Sequence, residues 1–476
     1  MNAPDRQSAK SSTTLIASTM AAVHERIAAR TLTPGSRLPS IREFAQCLGV
    51  SKSTVVEAYE RLRADGVIQS RPGAGYYVSA PLAPLSLSRT EPCRDRDIDP
   101  LWITRQSLDA AHDTLKPGCG WMPPSWMPEA SLRRALRKVA RSTGNALADY
   151  APAQGLAPLR ELLSHRLANI SINTAAADIL LTESGTQAID LMCRCLLENG
   201  DTVLVDDPCY FNFHALLKAH GAHVISVPYT ATGPDISLFE NALKTHRPRL
   251  YITNSGVHNP TGATLSTDTA LRVVKLAEQY DLRIVEDDIF TDFEQSPAVR
   301  LAALDGLQRV CLIGSFSKTI SASIRCGFIA APASWVEELL DLKIATSFGS
   351  GNLAAHITLA ILKDGAYRKH VESLRQRLSD QRIRVAQRLA TMNILPWLTP
   401  QAGLYLWCQL PNGIDAAAVA RKALADHVVL APGNAFSLSH DFSDFMRFNV
   451  TQTHDETVYQ VLEAAMSDTP QNEKAQ

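Results

Sequence analysis

The chain has no long apolar run, no paired-cysteine spacing and no strong charge of either sign, and each absence narrows what it can do. No run is long enough to span a bilayer, and no signal peptide opens the sequence, so a cytoplasmic protein with no membrane role is expected. Nine cysteines include no CxxC pair and no Cys/His metal spacing. Cys193 and Cys195 flank a single residue, which suits neither a zinc knuckle nor a redox pair. Reduced, mostly buried thiols and no metal site are expected. A net charge of -1 excludes a protein wholly coated by nucleic acid. What remains is 476 residues, 45% hydrophobic and 20% charged, enough for two or three globular domains with a sizeable core.

Charge is uneven along the chain. Residues 1 to 80 hold ten Lys/Arg against six Asp/Glu, a local excess of +4 (10 minus 6). Within them Ile16, Met20, Val23 and Ile27 form one apolar helical stripe. Pro34-Gly35 breaks the chain, and Ser40 with Glu43 three residues on predicts a capping box opening a second helix. Gly49 supplies a turn. Ser51 can cap a third helix whose inner face is Val55, Tyr59 and Leu62. Helix, turn and helix are followed by β-like runs at Val67–Ser70 and Tyr76–Val78, around Arg71-Pro72-Gly73-Ala74-Gly75. A small helical cap with a solvated face would explain any one of these features.

The whole string from Pro34 to Gly75 closely resembles the winged helix-turn-helix DNA-binding domain of GntR-family regulators, and residues 13–79 are assigned to it. The resemblance implies binding to a double-stranded DNA operator through Arg42, Lys52, Ser53 and Thr54, with Arg71 and Gly73 in the wing. The first turn of the third helix, Lys52-Ser53-Thr54, is the part that a helix-turn-helix points into the major groove. Arg42 can serve a phosphate or a guanine edge.

Residues 80–116, rich in proline at first and then in charges of both signs, read as a tether. From Trp121 a second unit begins, spanning 117–468. Short β-rich runs at Ile179–Thr182, Thr202–Val205, Val224–Val227, Leu250–Thr253, Leu282–Val285 and Val310–Ile313 alternate with helix-length segments. This predicts an α/β fold with a mostly parallel sheet between helices, and ligands at the carboxyl ends of its strands. Ser184-Gly185-Thr186, Asp207-Pro208-Cys209-Tyr210, Asn259-Pro260-Thr261-Gly262, Glu286-Asp287-Asp288 and Ser315-Phe316-Ser317-Lys318 all fall there, with Arg325 seven residues after the lysine. Singly, these are a helix cap, a core tyrosine and a turn. As a set they offer an amine, an acid, and cations and hydroxyls, which is what pyridoxal 5'-phosphate (PLP) needs.

The ordered set resembles fold type I aminotransferases over roughly 116 to 465, with a smaller C-terminal α+β part. The resemblance implies that Lys318 carries PLP as a Schiff base, Asp287 pairs with the pyridine nitrogen, Asn259 holds the ring O3' and Tyr210 stacks on the ring. It assigns the phosphate to Ser315, Arg325, Ser184, Gly185 and Thr186, with Tyr150 reaching the phosphate of a partner subunit. Arg447, in Met446-Arg447-Phe448-Asn449, matches the arginine that clamps a substrate carboxylate. Phe290 departs from the pattern, because many relatives carry a tyrosine there that donates to O3'.

Together the halves resemble the MocR subfamily of transcriptional regulators. The expectation is a homodimeric, PLP-dependent DNA-binding regulator whose aminotransferase-like domain senses PLP or an amino compound. The alternative is an active aminotransferase that carries a DNA-binding module.

Overall fold

The computed structural model describes residues 15–79, 101–111, 113–142, 147–439 and 441–469. The chain forms two compact units, the first ending at Asp95.

In the first unit the apolar stripe forms α1 (Leu15–Ala28), followed by α2 (Ile41–Leu48) and α3 (Lys52–Ala64). Val23, Phe44, Val55, Tyr59 and Leu62 meet in one buried core. The hairpin of β1 (Ile68–Arg71) and β2 (Gly75–Val78) closes it, with Ile68 opposite Val78 and Arg71 opposite Gly75. Gly49 sits at φ 66°, a left-handed turn that glycine adopts without steric cost, so α2 ends where the sequence places the turn.

The second unit is built on an eight-stranded sheet. Its strands are β3 (Ile179–Thr182), β4 (Thr202–Asp207), β5 (His223–Thr230), β6 (Gly233–Pro234), β7 (Leu250–Thr253), β8 (Arg283–Asp287), β9 (Val310–Ser315) and β10 (Gly327–Ala330). Their order is β3-β10-β9-β8-β7-β4-β5-β6. The central run from β9 to β5 is parallel, while β10 is antiparallel to both of its neighbours and β6 to β5. Strand alternation splits the apolar residues between two cores. Leu180, Val203, Val205, Ile252, Val285 and Ile313 face one, and Leu181, Leu204, Tyr251, Ile284 and Leu312 face the other. Both faces are covered, which is why these strands read as continuous apolar runs.

A four-stranded antiparallel sheet forms the C-terminal part: β11 (Leu395–Pro396), β12 (Tyr405–Gln409), β13 (Ala431–Pro432) and β14 (Phe445–Asn449), in the order β11-β12-β14-β13. Trp407, Phe436 and Phe448 fill its core against Leu374 and Leu378 of the long helix Gly365–Ala390.

The tether expected over 80–116 differs from the structure at its C-terminal end. Residues 80–100 lie outside the described residues. Residues 102–108 form a helix, α4, whose Trp102 and Ile103 are buried in the C-terminal core. Leu115 then pairs along the chain at 427–429, its amide donating to the His427 carbonyl at 2.9 Å. Proline and mixed charge upstream masked this apolar pair, whose partners lie some 300 residues away in sequence. Strand β10 was also unforeseen. Its sequence, Gly-Phe-Ile-Ala, follows directly on Arg325-Cys326.

Candidate functional site

The first unit gathers its exposed polar residues at the ends of α2 and α3. The capping box forms as expected: Ser40 Oγ accepts from the Glu43 amide at 3.3 Å, and the Ser40 amide donates to Glu43 Oε2 at 3.0 Å. It orients α2 and leaves Arg42 exposed. Ser51 caps α3 by accepting from the Thr54 amide at 3.1 Å. Its hydroxyl also lies 2.8 Å from those of Ser53 and Thr54, so both are drawn onto the cap. Lys52 is exposed and makes no hydrogen bond or ion pair among the described residues. In the wing the Arg71 guanidinium lies over the Tyr77 ring at 4.4 Å, and Gly73 holds the exposed tip at φ 73°. The result is a helix N-terminus and a hairpin tip carrying exposed cations, a surface suited to phosphate and groove.

In the second unit Lys318 follows β9, and the amine of its half-buried side chain donates to the Gly120 carbonyl. Burial pushes that amine down to about 8, with Arg447 adding to the shift, while Cys119 and Asp287 act in the opposite sense. A lysine so placed is a better nucleophile near neutral pH than an exposed one. Asp287 ends β8 and is buried, with Oδ1 accepting from the Ile289 amide at 3.2 Å. Burial raises its carboxyl to about 6 against the effect of Asn254, the Ile289 amide and Lys318. The Asn254 side chain donates to the Asp287 carbonyl at 2.9 Å and fixes this strand end.

Arg447, on β14, is fully buried. Its Nη1 donates to Asn259 Oδ1 at 2.9 Å and its Nη2 to the Gly118 carbonyl at 2.8 Å, leaving Nε without a partner among the described residues. The Tyr405 ring lies 4.2 Å below the guanidinium. Two residues from distant parts of the sequence, Asn259 and Arg447, are thus in direct contact. Tyr210 is half-buried beside them, against Phe211 and Phe213.

Ser184 caps the helix Gly185–Leu196 by accepting from the Gln187 amide at 3.1 Å. A methyl group on Gly185 would stand 3.8 Å from Ser315 Cβ, so these two strand ends adjoin. Ser315 Oγ donates to Ser317 Oγ at 3.1 Å. Thr186 is exposed, and so is Arg325, which has no hydrogen bond or ion pair among the described residues. A helix N-terminus, a serine and a free guanidinium make a cradle for a phosphate. Buried acid, depressed amine and anion cradle together fit PLP. Tyr150 is not gathered here: it is 77% exposed, and its ring rests on Phe348.

Sequence reasoning missed the backbone acceptors Gly118 and Gly120, and Tyr405. Glycine is required at 118, where an added Cβ would stand 2.4 Å from the Leu430 carbonyl carbon. The Gly118-Cys119-Gly120 pattern was the available signal. Also missed was a buried charge cluster behind Asp287. Arg300 donates to Asp288 at 2.9 Å and to Glu294 at 2.6 Å, and Glu286 accepts from the Leu301 and Ala302 amides at 2.8 Å each.

Comparison with known proteins finds a family for each unit. Residues 123–464 match the family described as aminotransferase class I and II, and residues 15–78 match the bacterial regulatory proteins of the gntR family. The uncharacterized HTH-type transcriptional regulator YdfD of Bacillus subtilis (strain 168) is 29% identical over 85% of this chain and 86% of its own length. The uncharacterized HTH-type transcriptional regulator YdcR of Escherichia coli (strain K12) is 28% identical over 90% and 93%. Among solved structures, kynurenine aminotransferase of Pyrococcus horikoshii superposes with a TM-score of 0.71 at 23% identity, covering 78% of this chain and 94% of that one.

Proposed function

Because the chain belongs to the class I and II aminotransferase family and carries a gntR-type helix-turn-helix ahead of it, we propose that it is a DNA-binding transcriptional regulator whose second unit holds PLP and senses PLP or an amino compound. The observation that carries this reading is the convergence of Lys318, Asp287 and the Arg447–Asn259 pair in a chain that also has a complete winged helix-turn-helix. When bound, PLP supplies an electrophilic carbon for amines and an electron sink. Around it Lys318 presents the amine, Asp287 a carboxylate for the ring nitrogen, and Asn259 an amide for the ring hydroxyl. The helix at Ser184-Gly185-Thr186, with Ser315 and Arg325, takes the phosphate. Tyr210 lies where a flat ring would stack.

Arg447 is the group for an effector's carboxylate. Its Nε is unsatisfied, and its Nη atoms are held by neutral acceptors that a carboxylate can outcompete. Arg447→Ala is expected to keep PLP but to weaken the spectral response to amino-acid effectors by about 2–5 kcal/mol of binding energy. The response to the corresponding amine without its carboxylate should be unchanged. Equal losses for both ligands would remove the clamp role.

A homodimer is part of the proposal. Tyr150, Phe348 and Leu147 leave large apolar side chains exposed, at 77%, 67% and 62%. Tyr150 would reach the partner's phosphate, and a two-fold dimer would place two helix-turn-helix units on two half-sites.

The test of the regulator reading is a titration on operator and scrambled duplexes over a range of salt. Lys52→Ala is expected to reduce the log-log salt slope by about 0.9 if the ammonium meets one phosphate. If it reads a base, preference at one operator position relaxes by about 1–3 kcal/mol. Arg42→Ala in parallel tells which of the two cations positions and which reads. Equal wild-type affinity for both duplexes at every salt would leave the second reading, an active aminotransferase. The Lys318 amine serves either reading, and steady-state transamination assays separate them.

A further inference from the structure

Two donors meet on one carbonyl at the centre of the second unit. The Lys318 amine and the Tyr405 hydroxyl both donate to the Gly120 oxygen, the latter at 3.1 Å. A methyl group placed on Gly120 would stand 3.7 Å from each of them. Tyr405 is held firmly. It lies on β12 in the C-terminal core, its ring beneath the Arg447 guanidinium at 4.2 Å and edge-on to Phe290 at 5.8 Å. Its hydroxyl therefore reaches Gly120 from a fixed platform.

We propose that Tyr405 is a positioning residue for Lys318: by sharing the Gly120 carbonyl it fixes where the amine sits and limits how well that oxygen can bind the ammonium form. This rests on the reading of Lys318 as the PLP lysine. A carbonyl that already accepts a phenol hydroxyl is a weaker acceptor for a second donor, and the charged form of the amine depends on that acceptor most. The groups facing the amine are Asp287 from β8, Arg325 ahead of β10, Arg447 from β14, and Cys119 beside Gly120. Burial pushes the Cys119 thiol and the Tyr405 phenol up, and the two arginines carry the positive charge that faces the amine. Arg447 and Tyr210 also face Tyr405. Tyr405 thus spans the carboxylate clamp and the amine.

The test uses Tyr405→Phe in the full chain, which keeps the ring, its packing and the Arg447 contact. The protonation midpoint of Lys318 is read without cofactor, by trace acetylation across pH with peptide mass analysis. It is read again from the pH dependence of PLP capture by the apo-protein. The expected result is an upward shift of about half a unit, making capture about threefold slower at pH 7 while capture at high pH is retained. Phe290→Leu removes the ring contact but leaves the hydroxyl, and its midpoint is expected to match the wild type. An unchanged midpoint in Tyr405→Phe, or an equal shift in Phe290→Leu, overturns the proposal. Wild-type protein that captures no PLP on Lys318 overturns the cofactor reading instead, and the acetylation result still stands on its own.

Discussion

Lys318→Ala protein, treated with excess PLP and then borohydride, will carry no pyridoxyl group on the peptide spanning residue 318, whereas wild-type protein will be labelled there and nowhere else to a comparable extent. The amine lies three residues beyond β9, on a half-buried side chain, lowered to about 8, and faced by Asp287 and Arg325. Exposed lysines retain their charge near neutral pH and lack this surrounding. The visible absorbance of lysine-bound PLP should vanish in the variant. The cradle at Ser184, Gly185, Ser315 and Arg325 remains, so weak, non-covalent uptake of PLP should persist and be competed by inorganic phosphate. Alanine also removes an amine whose partner is a single carbonyl, so far-ultraviolet circular dichroism should be unchanged. A full label on a different lysine would refute the assignment.

Arg300→Met is expected to destabilise the second unit by about 3–5 kcal/mol, the usual cost of removing one partner from a buried ionic cluster. Arg300 is fully buried and bridges Asp288 and Glu294, at 2.8 and 2.6 Å in the closest ion-pair contacts. Burial already raises the Asp288 carboxyl to about 7, with Arg300 opposing the rise. Without the guanidinium the Asp288 carboxyl binds its proton more tightly still in the folded than in the unfolded chain. Between the unfolded carboxylate range and that raised value the folded state then holds more protons, so stability falls as pH rises. The deficit should be largest above neutral pH and should shrink towards pH 5. All six tryptophans lie beyond residue 100, so denaturation followed by tryptophan fluorescence reports the second unit alone. A loss below 1 kcal/mol, or one that does not change with pH, would show that the cluster relaxes or takes in water.

The parts of this molecule legible in its sequence are those set by neighbours along the chain. Ser40 and Glu43, Gly49, and the Val55-Tyr59-Leu62 face depend on contacts within a turn or two, and each is where the pattern places it. The strand ends bearing Ser184, Asp287 and Lys318 follow from apolar runs covered on both faces. What the pattern does not carry is which backbone atoms arrive from elsewhere. Gly120 lies 198 residues from Lys318, and Gly118 lies 329 from Arg447. A carbonyl has no side-chain signature, so Gly118 and Gly120 were invisible as acceptors. Tyr405 looked like any other aromatic in a buried strand. The resemblance named Asn259 and Arg447 separately, and only the fold joins them. The hydroxyls of Ser53 and Thr54 lie 2.8 Å from that of Ser51, a grouping at the helix cap that the motif alone does not show.

The segment from Leu115 to Gly120 links the groups of the site to one another. It is anchored at 427–429, then gives one carbonyl to Arg447 and another to Lys318 and Tyr405. A ligand carboxylate that draws Arg447 away, or an aldehyde that draws Lys318 away, would each free an oxygen of the same short stretch of backbone. Binding at one group would thus be felt at the other through two peptide units that stand one residue apart.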